Sequence, residues 1–253
     1  MVREFNWSGY KWATKERWGQ LHADKLYCWY NAKCVNVDEY QYLHLLTKKD
    51  PKKFKMTQKG SQTIIESPIS VGLVSSKEMF GYGYFEIEAK LPSGPNLWPA
   101  FWMWGSESWP PEIDIFEGYT DNRNGYLKFN RFNPLGFWNL QSNAHFKDIK
   151  SGKNSNAKAK THYFGFKNPA TTFIKYGLKF TPNEITIFFD GKAVRSLDKK
   201  LLPYFKDHKM NVIINNHVTS EVNPDKENYS DFTVKYFKYE PLKSLYIYYK
   251  QTL

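Results

Sequence analysis

Apolar and polar residues alternate in short runs along most of this chain. Thr63-Ile64-Ile65-Glu66, Tyr84-Phe85-Glu86-Ile87-Glu88 and Glu184-Ile185-Thr186-Ile187-Phe188-Phe189 mix aromatic and β-branched residues with polar ones, the pattern of half-buried strands. No stretch holds apolar residues at helical spacing over a useful length, so the chain reads as all-β. No internal repeat and no linker divides it, and 253 residues suit one large sandwich domain.

One strand breaks its own alternation. In Glu112-Ile113-Asp114-Ile115-Phe116-Glu117, Glu112 and Asp114 point to one face while Ile113 and Ile115 point to the other. Strict alternation would set Phe116 beside the acids and send Glu117 into the apolar layer, where a lone carboxylate is costly. A β-bulge at Ile115-Phe116 corrects the phase and returns Glu117 to its partners. Three acids on one face repel each other, and a reaction is the usual reason to tolerate that. Retaining glycoside hydrolysis needs two carboxyl groups about 5–5.5 Å apart, one as nucleophile and one as proton donor. Alternate strand residues lie about 6.6 Å apart along the backbone, and strand bending with side-chain flexibility closes the longer bulged span. Asp114 between them can share a proton with Glu112. On this motif alone, a strand with three solvated acids is the competing reading.

Composition narrows the classes. Aromatics make up 18% of residues, in keeping with strands. The net charge is +11, but the 36 basic residues are scattered, with no nucleic-acid module, so nucleic acid is not an expected partner. Surface charge for solubility is one reading of the excess. Residues 48–55 and 147–160 are Lys-rich and read as solvated loops; lining a cleft is the alternative. Cys28 and Cys34 could form one bridge or stay free thiols. No zinc-type ligand spacing is present, so no metal site is expected. No apolar run of about 18 residues could span a membrane, and Met1–Ser8 lacks the apolar core of a secretory leader.

The surroundings of the acids identify a resemblance. Gly81-Tyr82-Gly83-Tyr84-Phe85-Glu86 runs on to Lys90-Leu91-Pro92, then Gly94-Pro95-Asn96-Leu97-Trp98-Pro99-Ala100-Phe101-Trp102, then Trp109-Pro110-Pro111 and the acidic strand. This order resembles the family 16 glycoside hydrolases. Downstream, residues 173–192 look like the family's T-P-x-x-I…D-G-K hairpin, and Val234-Lys235-Tyr236-Phe237-Lys238-Tyr239 like its closing strand. The resemblance covers residues of about 5–240, taken as one catalytic domain over 1–240 with a C-terminal extension over 241–253.

The resemblance implies a jelly roll, two curved antiparallel sheets with a concave substrate cleft. It implies an endo-acting retaining β-glycanase, with Glu112 as nucleophile, Glu117 as acid/base and Asp114 as their helper. The E-x-D-x-x-E spacing is similar to the laminarinase, agarase and carrageenase branches, so the expected substrates are a β-1,3-glucan or a galactan such as agar, porphyran or carrageenan. A sulfated or uronic polysaccharide would then account for the positive charge. A catalytically silent carbohydrate-binding protein on the same fold is the alternative, but such proteins lose one or more of the acids.

Further roles follow from position. Alternation puts Trp98, Ala100, Trp102 and Trp104 on one face; the family pattern makes Trp98 a cleft residue and Trp109 a sugar platform. Trp102 and Trp104 could equally pack in the core. Gln141, Asn143 and His145 share one face of the next strand, which makes Asn143 and His145 candidate substrate contacts. Arg131, with Arg123 and Lys128, is a candidate for an anionic substituent. No cofactor is required. The family's structural calcium is in doubt, because Lys235 stands where relatives carry an Asp. A monomer acting outside cells is expected, its leader removed or its release by lysis, as for a phage-encoded enzyme.

Overall fold

In the computed structural model, residues 2–17, 19–21, 27–58, 61–92, 96–118, 138–165, 167–219 and 230–242 are described. They form two nine-stranded sheets. The cleft sheet runs in the order Glu4–Trp7, Tyr10–Ala13, Leu73–Ser76, Met210–Val218, Leu97–Gly105, Glu112–Glu117, Asn139–Lys147, with Asn154–Asn156 and Lys160–Tyr163 both paired to the last. The outer sheet runs Lys192–Ser196, Glu184–Phe189, Ile174–Thr181, Gly83–Lys90, Ser230–Pro241, Leu43–Gln58, Ser61–Val71, Cys28–Tyr30, with Val35–Val37 paired to Leu43–Gln58. All pairings are antiparallel except Cys28–Tyr30 with Ser61–Val71. This is the sandwich that the alternation and the resemblance imply.

Period-two patterning explains the layering. Phe85, Ile87 and Ala89 of one strand meet Phe101, Met103, Ile113, Ile115 and Phe116 of the facing sheet in one fully buried core. At about 25 cal/mol per Å² of apolar surface removed from water, this layer dominates the fold's stability. A second apolar cluster lies on the other face of the cleft sheet and includes Tyr30, Leu73, Ala100, Trp102, Trp104 and Ile213. Tyr30 reaches it from the edge of the outer sheet.

The hairpin read at residues 173–192 forms in register, with Thr181 opposite Glu184 and Phe189 opposite Tyr176. Its next turn, Asp190-Gly191, has φ of 53° and 76°, the left-handed pair that a tight hairpin demands.

Residues 48–55 are not a loop. They belong to the strand Leu43–Gln58, where Lys49 pairs with Ile69 and Lys52 with Ser67. Asp50 and Pro51 sit in the register shift opposite Pro68, so the prolines, which cannot donate to a ladder, fall where the ladder is already interrupted. Residues 147–160 are only partly loop, because Asn154–Asn156 extends the cleft sheet against His145, Phe146 and Lys147. Cys28 and Cys34 are buried free thiols, and burial pushes the Cys34 thiol up. Of residues 241–253, Pro241 ends a strand; 243–253 lie outside the described residues.

Candidate active site

The acidic strand carries the bulge its sequence requires. Against Leu97–Gly105, Asp114 pairs with Trp102 and Phe116 with Phe101, so Ile115 is the extra residue. Ile115 and Phe116 both turn into the core, and Glu117 returns to the face of Glu112 and Asp114. All three acids line one pocket with Trp98, Trp102, Asn215 and His217.

Each acid faces one member of the polar row on the next strand: Glu112 opposite His145, Asp114 opposite Asn143 and Glu117 opposite Gln141. His145 Nε2 lies 3.6 Å from Asp114 Oδ2 and 3.8 Å from Glu112 Oε1. Burial pushes the His145 pKa down, which favours the neutral ring even beside two acids. Asn143 is nearly buried; its Oδ1 accepts from the Ala144 amide at 2.9 Å, and its Nδ2 lies 3.3 Å from His145 Nε2.

Two tryptophans hold the outer acids. Trp109 Nε1 donates to Glu112 Oε2 at 2.6 Å, and Trp98 Nε1 donates to Glu117 Oε2 at 3.2 Å. Trp109 is 45% exposed, so its ring is open as a platform while its N–H fixes a carboxylate. Gly105 makes the loop that delivers Trp109 feasible: a Cβ there would lie 2.7 Å from Ser108 O and 2.8 Å from Pro111 Cδ. Trp102 and Trp104 are buried on the cleft side rather than in the core between the sheets. Trp102 Nε1 donates to Asn215 Oδ1 at 2.6 Å.

A positive charge sits beneath the acids. Arg195 is buried and donates to the carbonyls of Ser142, Ala157 and Lys158. Burial lowers its pKa, and the charge of Asp114 opposes that shift. A buried guanidinium at this place offsets part of the mutual repulsion of the carboxylates.

Several residues of the site have no local sequence signal. His217 is buried, and its Nε2 is 2.6 Å from the Tyr30 hydroxyl, with the two rings stacked at 5.3 Å. The Tyr30 hydroxyl donates to Glu16 Oε1 at 2.5 Å. Burial, with Glu16 second, pushes the Tyr30 pKa well up. The signal that could have found this group is Asn215-Asn216-His217, three consecutive polar residues in a largely apolar strand. Arg131, Arg123 and Lys128 lie outside the described residues.

Glu112, Asp114 and His145 each offer a donor atom within 4.8 Å of the others, a spacing a cation could use. The calcium position of the closing strand does not fit a cation. Lys235 Nζ lies 2.6 Å from Glu88 Oε1 and 4.1 Å above the Phe173 ring, so that place already holds an ammonium.

Comparison with known proteins bears on the family and the fold. An endo-1,3-1,4-β-glycanase of Rhizobium meliloti is 29% identical over 130 residues, which is 50% of this chain and 24% of that protein. The matched stretch thus spans about a quarter of that relative's length. The structure of LamAcat from Zobellia galactanivorans superposes with a TM-score of 0.65 at 20% identity, covering 87% of this chain and 88% of that one. The κ-carrageenase of Pseudoalteromonas carrageenovora, in complex with an oligotetrasaccharide of κ-carrageenan, gives 0.65 at 19%, covering 87% and 86%. At those identities the structures speak for the fold. The model of the glycosyl hydrolases family 16 matches residues 23–238, and the chain belongs to that family.

Proposed function

We propose that this chain is an endo-acting retaining β-glycanase that cleaves a β-linked glucan or galactan outside the cell, as a monomer. The observation that carries the reading is the phase-corrected strand. Its bulge sets Glu112 and Glu117 in one pocket, each held by a tryptophan N–H.

In the first step the Glu112 carboxylate attacks the anomeric carbon, the glycosidic C–O bond breaks, and Glu117 gives its proton to the leaving oxygen. In the second, Glu117 takes a proton from water, whose oxygen attacks the same carbon and releases Glu112. Asp114, between the two and beside His145, orients Glu112 and can share a proton with it. Trp109 and Trp98 offer ring faces to the sugars, and His145 and Asn143 offer hydrogen bonds to their hydroxyls. The relatives' names place β-1,3 and mixed-linkage glucans and κ-carrageenan among substrates of similar proteins.

The test is release of reducing ends from laminarin, mixed-linkage glucan, agarose, porphyran and κ-carrageenan, with Glu112→Gln alongside. Release from one polymer, lost in the variant, supports the reading and names the substrate. Binding without release would turn it toward a lectin. Equal release by both proteins would sink the residue assignment.

A further inference from the structure

The cleft face holds a second depression beside the acids, of about 290 Å³, whose lining includes Lys15, Glu16, Arg17, Lys77, Trp104 and Ser106. Trp104 joins the two. It faces Glu112 in register, and its ring meets that of Trp102 at 5.1 Å. A polymer lying over the acids therefore has this depression within reach along the same sheet face.

The depression carries more basic than acidic side chains. The Arg17 guanidinium lies 4.3 Å over the Trp104 ring and donates to the Gly105 carbonyl. That anchors it while the side chain stays exposed. Lys15 flanks it. Lys77 is held by Glu4 at 3.0 Å, so it is engaged elsewhere. Glu16 is fully buried, and its Oε1 accepts a hydrogen bond from the Tyr30 hydroxyl. A second observation is independent of charge: the Ser106 Oγ is buried and meets no hydrogen-bond partner among the described residues. A donor left without a partner in such a hollow suits an incoming acceptor oxygen. A planar guanidinium fixed on a ring suits an oxyanion better than a neutral hydroxyl.

We propose that this depression receives an anionic substituent, a sulfate ester or a carboxylate, carried by the glycan that the acids cleave. The inference rests on the glycanase reading and deepens it. Arg17 forms the charged contact, Lys15 adds field, and Ser106 donates a hydrogen bond.

The test uses the inactive Glu112→Gln protein, with and without Lys15→Met and Arg17→Met, titrated at low salt. The probes are laminarin oligosaccharides in plain, sulfated and carboxymethylated form, and κ-carrageenan oligosaccharides with and without their sulfate. On the backbone that binds, the anionic form should bind about tenfold tighter, as a charge-assisted contact predicts. That ratio should collapse toward one in the Lys15→Met/Arg17→Met protein and with added salt. Arg17→Lys, which keeps the charge, should retain part of it. The sulfated and carboxymethylated arms tell which anion is preferred. Circular dichroism and melting of each variant separate lost contacts from lost fold, and Lys15→Met alone gives a milder variant if Arg17→Met unfolds. Equal binding of charged and plain forms, or a preference that survives the double substitution, would overturn the inference while leaving catalysis intact. Failure of every form to bind would overturn the glycanase reading with it.

Discussion

Two strands of this protein carry acids at alternate positions, and they use them in opposite ways. On the outer sheet, Glu86 accepts from the hydroxyls of Tyr84 and Tyr236 at 2.9 and 2.7 Å, and Glu88 pairs with Lys235 at 2.6 Å. On the cleft sheet, Glu112 and Glu117 accept from tryptophan N–H groups, and burial lowers the pKa of the histidine beside Glu112 and Asp114. The first pair is quenched by a cation and two phenols. The second is fixed in place by neutral tryptophan donors. The motif E-x-E or E-x-D therefore says little by itself, and the partners across the strand decide.

The histidines repeat the contrast. His44, on the outer sheet, lies 2.8 Å from Asp231 and 3.2 Å from Asp38. Burial works against its proton, but hydrogen bonds to both acids outweigh that and raise its pKa. His145 also lies near two acids, at longer distances, and burial lowers it. At His44 the hydrogen bonds to two acids outweigh desolvation, and at His145 burial prevails.

The largest expected effect separates the two acid pairs by activity. Glu112→Gln and Glu117→Gln should each lower kcat by at least about 10³-fold with little change in melting temperature. Glu86→Gln, on the far sheet, should leave kcat within twofold; a comparable loss there would erase the contrast. Next, Trp109→Phe keeps a ring but removes the N–H that holds Glu112. A lost hydrogen bond to a charged group is worth about 1.5 kcal/mol, so kcat/KM should fall about tenfold. An unchanged value would mean that Trp109 does not position the nucleophile. Smaller still, Glu88→Gln should cost at most about 1 kcal/mol of stability, since its pair with Lys235 is partly solvated; denaturant unfolding reads this directly.

The histidines give the finest test. In an imidazole NMR titration, His44 should ionise above 6.5 and His145 below it. The linked stability has opposite signs. The contribution of His44 is full at pH below 6.5 and lost as pH rises through its folded value. That of His145 is lost as pH falls below 6.5 toward its folded value. His162, pushed by burial to about 4, should add to the acid-side loss between pH 6.5 and 4. The same titration order for His44 and His145 would remove the second contrast.

What could be read before the fold was known was local. The bulge followed from a phase error within six residues, and the polar row Gln141, Asn143, His145 from simple alternation. Both lie where a strand's own period fixes which face a side chain takes. Glu16, Tyr30, Asn215 and His217 escaped because the sheet order, not the chain order, brings them together. Tyr30 and His217 are 187 residues apart. The Lys-rich stretch 48–55 failed for a different reason. Composition suggested solvent, and solvent is indeed what Lys49, Lys53 and Lys55 meet, but a strand with one wet face satisfies that as well as a loop does.

The central claim is that Glu112 and Glu117 act as a nucleophile and acid/base pair. Proton NMR of the first products, taken before mutarotation, tests it most directly. The account predicts that the new reducing end appears first as the β-anomer, the configuration of the bond cleaved. Initial release of the α-anomer would mean direct attack by water, and would contradict the roles assigned to both acids.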